Sequence, residues 1–184
     1  MLSRKKLAVL TLAAIAGAAI IVTQTAGSKG RAYKLEGAWT LASEDGLLGC
    51  LNLVPSDPSG HEATAQAHWV SAGQAGAFLL AAYGADALSD TAMVAKMISR
   101  DTARYTDVYY AIKTGLPNEI KGIAICSGTW TFAGRDRLVL SGTTSVYFPS
   151  RDADGDGLPD DLENPPDVGP FPHVLVGTRV PLLP

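Results

Sequence analysis

Alternating hydrophobic and polar positions recur along most of the chain after residue 34 and predict β-strands. The clearest case is residues 62–70. Its apolar face consists of Ala63, Ala65, Ala67 and Trp69, and its polar face of Glu62, Thr64, Gln66 and His68. A period of two is typical of a strand that buries one face. Similar runs, bounded by Gly, Pro, Asn and Asp, predict further strands at 35–41, 47–54, 103–113, 119–132, 137–148 and 173–180.

Two segments leave alternatives open. Residues 71–90 contain an apolar run rich in Ala and Leu, which fits either a short helix or an apolar loop over the core. Residues 91–98 fit a strand or a helix equally well. The whole pattern gives about seven to nine strands at spacings of roughly 8–12 residues, which is typical of an antiparallel sandwich or barrel. The chain is therefore predicted to be mainly β, with one domain over residues 34–184.

The N-terminal residues are predicted to be a targeting segment. Arg4, Lys5 and Lys6 precede an apolar run of sixteen residues, 7–22, which small polar residues follow. This length lies between a signal-peptide core and a spanning helix, so residues 1–26 are either a cleaved signal peptide or an uncleaved anchor. Residues 27–33 are predicted to be a linker. We expect an exported protein that is periplasmic, secreted or at the cell surface and meets a membrane only through this segment.

The charge of the chain argues against a nucleic-acid partner. The formal net charge is −3, and the segment 1–26 carries three basic and no acidic residues, so the remainder is near −6. Phosphate binding needs clustered Lys and Arg, and here these residues are scattered.

Acidic residues are concentrated between the last two predicted strands. Six of the eighteen acidic residues fall within residues 152–163. This segment matches the register of an EF-hand calcium loop, with Gly157 at the sharp turn. The ligand positions are Asp152, Asp154, Asp156, the backbone carbonyl of Leu158, Asp160 and Glu163. We therefore expect a calcium ion here, with a structural role; the alternative is a solvated acidic loop.

Prolines around this loop exclude the helices of an ordinary EF-hand. Pro149 precedes it, Pro159 lies within it, and Pro165 and Pro166 follow. The segment from Asp152 to Pro165 instead resembles a single thrombospondin type 3 repeat. The resemblance covers about fourteen residues and implies calcium ligation by the same carboxylates. In that family the repeats usually occur in tandem and share ions, whereas this chain has one copy.

The two cysteines, Cys50 and Cys126, allow a disulfide in an oxidising compartment. The alternative is a pair of free thiols that act as small apolar residues. The sequence has no Cys-x-x-Cys spacing, so a zinc site is not predicted.

Other candidate residues carry weaker signals. Gly37 and Trp39 resemble the Gly-x-Trp opening of lipocalin-type barrels, which implies an eight-stranded cup for a small apolar ligand. Tyr105 and Tyr109 share one face of their strand, and Tyr110 points the opposite way. The histidines His61, His68 and His173 are each a candidate ligand or base, or an ordinary surface histidine. We interpret the charged residues Asp101, Arg104 and Asp107 as solvated turn charges.

The predicted function is non-catalytic. We expect a calcium-stabilised β-domain with a structural or binding role in the cell envelope or outside the cell, whose partner is a protein or a small apolar molecule. The first alternative is a lipocalin-like carrier of a small apolar ligand. The second is a hydrolase whose active site follows no sequence motif; residues 34–184 contain no nucleophile motif of the kind that such enzymes carry.

Overall fold

The computed structural model describes residues 33–72, 77 and 80–181. The predicted signal peptide or anchor, 1–26, and all of the predicted linker except Tyr33 lie outside the described residues. Within the described part of the chain, no helix is long and apolar enough to cross a membrane. Export therefore stays a prediction.

Nine antiparallel strands make up nearly all of the described structure. They are β1 Gly37–Ala42, β2 Leu47–Pro55, β3 Glu62–Ala72, β4 Ala87–Leu88, β5 Thr91–Met97, β6 Thr102–Lys113, β7 Glu119–Phe132, β8 Arg137–Tyr147 and β9 Val168–Arg179. A short 3₁₀ turn, Pro149–Arg151, follows β8. Residues 80–83 are helical, and 91–97 are a strand, which settles the two segments that the sequence left open.

Eight of these strands form a closed barrel. Apart from β4, which lies outside the ring, each strand pairs with the next along the chain. The order is β1, β2, β3, β5, β6, β7, β8 and β9. The ring closes between β1 and β9, where Trp39 pairs with Arg179 and Ala42 with Val176. The short β4 pairs with β6 beyond the end of β5. The predicted mainly β, antiparallel architecture is confirmed, and the structure is the barrel rather than the sandwich.

Strict alternation decides which side chains enter the barrel. Along β3 the side chains of Ala63, Ala65 and Ala67 are buried, while Thr64 and Gln66 are exposed, as the pattern predicted. Two ends can be defined from the register. The lower end contains Gly37, Met97 and Arg179, and the upper end contains Ala42, Thr91 and Tyr147.

Aromatic side chains fill the lower half of the interior. Trp39 and Trp130 are fully buried, and the ring of Tyr105 stacks on Trp130 with centroids 5.5 Å apart. At the lower rim Tyr33 stacks on Phe132 at 5.0 Å. Tyr33, the last residue of the predicted linker, is thus part of the packed barrel.

The upper half of the interior is lined by smaller residues and by two aromatic side chains that are only half-buried. The small residues are Ala67, Ala111, Gly122 and Ala124, and the half-buried aromatics are Trp69 and Tyr109. Tyr83, from the helical segment, packs at this end against Ala124 and Val146. Smaller side chains and half-buried rings thus distinguish the upper half of the interior from the lower half, which large aromatic side chains fill.

Candidate functional site

A polar cluster lies near mid-height in the barrel, where the aromatic lower half meets the upper half. It is formed by inward-facing side chains of four consecutive strands: Tyr105, Asp107 and Tyr109 of β6, Cys126 of β7, Thr144 of β8 and His173 of β9. The register explains their proximity, since Asp107 pairs with Cys126 and Cys126 pairs with Thr144. We call these six residues the interior polar cluster.

A chain of short contacts connects most of this cluster. Cys126 Sγ lies 2.9 Å from Thr144 Oγ1, which lies 3.1 Å from His173 Nδ1. The other ring nitrogen, Nε2, lies 2.6 Å from the hydroxyl of Tyr105. Both nitrogens of His173 are therefore occupied, and the imidazole is held in one orientation.

Asp107 is the member of the cluster whose hydrogen bonding is incomplete. Its side chain is 5% exposed, and its Oδ1 atom is buried without a hydrogen-bond partner. Among the described residues, the other buried side-chain atoms without a partner are the indole nitrogens of Trp39 and Trp130, the Tyr83 hydroxyl and, in the acidic loop, Oδ1 of Asp152. An uncompensated carboxylate is far more costly than a neutral N–H or O–H, because burial opposes its charged form. Asp107 is thus the strongest indication of a site inside the barrel.

Burial controls the ionisation of the whole cluster. It raises the pKa of Asp107 from 3.8 to about 7, and hydrogen bonding from Cys126 offsets only part of this effect. Burial also raises the pKa of Tyr105, Tyr109 and Cys126, and it lowers the pKa of His173. Near neutral pH the tyrosines, the thiol and the imidazole are therefore uncharged, and Asp107 is the group that titrates.

The sequence interpretation of Asp107 as a solvated turn charge is wrong. Asp107 lies in the middle of β6, on the face that Tyr105 and Tyr109 share, and that face points into the barrel. The alternation with these two tyrosines was the signal that could have located it. Asp101 does lie at the turn between β5 and β6, outside both strands.

The histidines have different environments. His68 Nδ1 lies 2.7 Å from Asp90 Oδ1, but both side chains are 72% exposed, so water screens this pair. His61 is exposed next to the start of β3. His173 is the histidine that the barrel brings to other polar side chains.

The predicted disulfide between Cys50 and Cys126 is not formed, and both cysteines are free. The wall of the barrel separates them. Cys50 is exposed on the outer face of β2, between the inward-facing Gly49 and Leu51, whereas Cys126 is buried inside β7. The sequence placed both in apolar strands but did not show that they face opposite ways.

The acidic loop crosses the outer wall of the barrel between β8 and β9. The Tyr110 hydroxyl donates a hydrogen bond to the Gly157 carbonyl at 3.2 Å. Ile123 and Tyr147, the next residues along the register from Tyr110, are buried although they point outward. The loop therefore covers this row of the wall.

One arginine holds the base of the loop. Arg151 donates from Nε to the Asp161 carboxylate at 2.7 Å and from a terminal nitrogen to the Pro165 carbonyl at 2.8 Å. Its guanidinium carbon lies 5.0 Å from the centre of the Tyr147 ring. Asp161 is thus an anchor for the arginine, and its pKa is lowered chiefly by the hydrogen bond from Arg151.

The structure brings three of the predicted metal ligands together. Asp152, Asp154 and Asp156 each offer a carboxylate oxygen, and these atoms lie within 4.8 Å of one another. Asp160 Oδ2 accepts a hydrogen bond from the Ala153 amide at 2.7 Å, which links the two sides of the loop. Glu163 is exposed and is not part of this group. The Leu158 amide donates to Asp156 Oδ1 at 2.8 Å, next to the three carboxylates. Calcium binding stays a prediction.

Two grooves among the described residues lie outside the barrel. One of about 600 Å³ and one of about 340 Å³ run along the outer wall of β3, β5 and β6. The exposed side chains of Thr64, Val94 and Thr106 line both grooves. The smaller groove also contains Glu62 and Lys96, which are exposed and form an ion pair with each other.

Comparisons with known proteins found no family and one structural likeness to report. No protein-family model matches the sequence, and no curated protein matches it. A solved structure described as "Structure of EF1p2_mFAP2b bound to DFHBI" is similar over 79% of this chain and 94% of that chain. It has 18% sequence identity and a TM-score of 0.42.

Proposed function

We propose that the protein binds a small ligand in the upper half of the barrel, with the ligand's polar group at the interior polar cluster. The observation that carries this proposal is the buried, unpartnered carboxylate oxygen of Asp107. A binding site typically combines apolar walls with a few convergent polar groups and a perturbed titratable residue. The half-buried rings of Trp69 and Tyr109 supply the apolar walls.

This proposal corresponds to the carrier function that the sequence offered as its first alternative. A purely structural domain would gain stability by replacing Asp107 with an apolar residue, because a buried charge without a partner is destabilising. A ligand that satisfies the open oxygen gives this residue a role.

The proposal predicts that a larger side chain at Ala124 blocks ligand binding. Ala124 is buried in the upper interior against Tyr109 and Phe171, whereas Ala92 is exposed on the outer wall of β5. A library of small amphiphilic molecules would be screened by thermal melting of the full chain and by quenching of tryptophan fluorescence. We expect ligands that bind the wild type and Ala92→Leu equally, and Ala124→Leu at least tenfold more weakly.

A second variant, Thr144→Val, tests the same site in case Ala124→Leu does not fold. Thr144→Val keeps the volume but removes the hydroxyl between Cys126 and His173, so it should weaken binding while the protein stays folded. Ligands that bind all four proteins equally would place the site elsewhere. A library without any ligand would also contradict the proposal.

We further propose that the acidic loop binds calcium. The EF-hand register of the sequence and the proximity of the Asp152, Asp154 and Asp156 carboxylates support this role. The ion would neutralise repulsion among the carboxylates and stabilise the loop that covers Tyr110, Ile123 and Tyr147.

Calcium should therefore raise the melting temperature of the full chain by several degrees relative to a chelator. A shift of roughly 2–4 °C corresponds to about 1 kcal/mol in a chain of this size. Asp154→Asn and Asp156→Asn should abolish the shift, because asparagine can still accept the turn hydrogen bonds from the Asp156 and Leu158 amides but lacks the charge.

Glu36→Gln is the matched control, since Glu36 is an exposed acidic residue that lies before β1 and outside the loop. It should keep the full calcium shift. An equal melting temperature with calcium and with chelator in the wild type would overturn the metal proposal.

A further inference from the structure

We propose that the ligand of the barrel is a small cationic amine whose ammonium group is held by the carboxylate of Asp107. This inference rests on the proposed function and adds the chemical class of the ligand. Three observations support it. They are the set of interior hydrogen-bonding atoms that already have partners, the charges near Asp107, and the side chains around Asp107.

The open position in the cluster is a hydrogen-bond acceptor. Thr144, both nitrogens of His173 and the hydroxyl of Tyr105 already contact one another, so their donors are engaged within the cluster. Oδ1 of Asp107 remains without a donor. A ligand that completes the cluster must therefore bring an N–H or O–H group, and a ligand that offers only acceptors leaves the carboxylate unsatisfied.

The charges around Asp107 favour a cation over a neutral donor. The titratable groups that interact with Asp107 are Tyr105 and Tyr109 on its own strand and Cys126 on β7, and His173 on β9 contacts Thr144 beside them. The inward-facing residues of β5 and β3 at this level, Met93 and Ala65, carry no charge. None of the described residues that face Asp107 is a lysine or an arginine. A bound ammonium would thus be the counter-ion of a carboxylate in a low-dielectric interior, where the attraction is strong.

The same arrangement disfavours anionic ligands. A fatty acid or another carboxylate would place a second negative charge beside Asp107, which is unfavourable without a nearby cation. The carrier predicted here therefore differs from a carrier of anionic lipids.

The aromatic walls suit the remainder of such a ligand. The half-buried side chains of Trp69 and Tyr109 present ring surface in the upper half of the barrel. The Trp69 indole N–H already donates to Thr91 Oγ1 at 2.8 Å, so this ring offers its apolar surface rather than a free donor. Aromatic faces stabilise both an apolar body and a neighbouring cation.

Ionisation of Asp107 should make amine binding depend on pH. The pKa of Asp107 is raised to about 7 in the protein without ligand. Below this value the carboxyl is protonated and must release its proton to hold an ammonium. Burial raises the pKa of the tyrosines and of the thiol and lowers the pKa of His173, which moves all four away from the pKa of Asp107. Amine affinity should rise about tenfold between pH 6 and pH 8.

The test compares three amines with their alcohol analogues, which have nearly the same shape but no charge. The pairs are benzylamine and benzyl alcohol, 2-phenylethylamine and 2-phenylethanol, and tryptamine and tryptophol. Affinities for the full chain would be measured by calorimetry and ligand-observed NMR at pH 6 and pH 8. At least one amine should bind at pH 8 ten times more tightly than its alcohol, and the alcohol affinity should change less than twofold with pH.

Asp107→Asn is the decisive variant, because it keeps the shape and removes the charge. It should abolish both the preference for the amine and its pH dependence, while the alcohol still binds. Asp136→Asn, at an exposed acidic residue between β7 and β8, is the matched control and should bind like the wild type.

The outcomes separate this inference from the proposed function. Alcohols that bind as tightly as amines, or an amine preference that survives Asp107→Asn, would overturn the amine inference and leave interior binding intact. The amine inference also falls, and interior binding stands, if none of the six probes binds but other molecules bind to the wild type and not to Ala124→Leu. If no molecule of the wider library binds, both proposals fall.

Discussion

At the scale of single residues, Asp107 determines how the interior responds to pH. A carboxyl group ordinarily titrates near 3.8, and burial moves the pKa of Asp107 to about 7. The folded protein therefore retains a proton that the unfolded chain has already released over the interval between these two values. Stability that is fully present below pH 4 is lost as the pH rises toward 7, and the loss levels off above about pH 8.

Asp107→Asn should remove this dependence. The free energy of unfolding of the variant minus that of the wild type should increase by about 3 kcal/mol between pH 4.5 and pH 8 for a shift of this size. Urea unfolding at several pH values measures the difference. Asp136→Asn should stay within about 0.5 kcal/mol of the wild type over the whole range, because its side chain is 70% exposed. Parallel curves for wild type and Asp107→Asn would contradict the assignment.

Strict alternation predicts correctly which way most of these side chains point. It places Tyr105 and Tyr109 on one face and Tyr110 on the other, and it places Ala63, Ala65 and Ala67 inside. The burial of Asp107 was not predicted, because its charge and the nearby Arg104 were given more weight than its position in the alternation. Burial of a charge depends on neighbouring strands, which are remote in sequence.

At the scale of elements, the acidic loop depends on how closely it approaches the wall. Gly157 has a φ of +89°, and a β-carbon at this position would lie 2.6 Å from the Tyr110 hydroxyl oxygen. Gly155 also has a positive φ, +76°, but a β-carbon there would meet no atom within 4 Å. The two glycines share the backbone requirement and differ in the contact.

Gly157→Ala should therefore destabilise the protein by about 1–2 kcal/mol more than Gly155→Ala, because it adds a steric clash to the backbone strain. Tyr110→Phe removes the hydroxyl and should recover part of the difference in the double variant. Urea unfolding and the rate of proteolysis within residues 152–165 both report this. Equal losses for the two alanine variants, without recovery by Tyr110→Phe, would show that the loop does not lie against this wall.

The loop also shows what local sequence can and cannot predict. The spacing of Asp152, Asp154 and Asp156 is local, and the structure brings their carboxylates together. The contact with Tyr110 links residues far apart in the chain and had no signal in the loop itself. The role of Arg151 as its anchor likewise depends on Asp161 and Pro165 folding back toward it.

At the scale of the whole molecule, strand number and antiparallel pairing follow from the periodicity and the turn residues, but the closure of the sheet does not. A sandwich and a barrel show the same alternation along each strand. The difference is the pairing of β1 with β9 and of β6 with β7. The first of these pairings joins the two ends of the described chain, so no short segment of sequence contains it.

The helical residues 80–83 and the short β4 were hard to predict for a related reason. Ala and Leu suit a helix, yet a helix this short depends on packing for its stability. Here Tyr83 supplies that packing against Ala124 and Val146, which lie on two later strands.

Pairing of β1 with β9 has a consequence for biosynthesis. A ribosome releases residues 37–42 well before residues 168–179, and the Trp39–Arg179 pair forms only when both are available. Until then the emerging sheet has two unpaired edges, which attract other strands. Such a long-range contact also slows folding. The emerging sheet therefore keeps two open edges until β9 has been synthesised, and the pairing of β9 with β1 closes it.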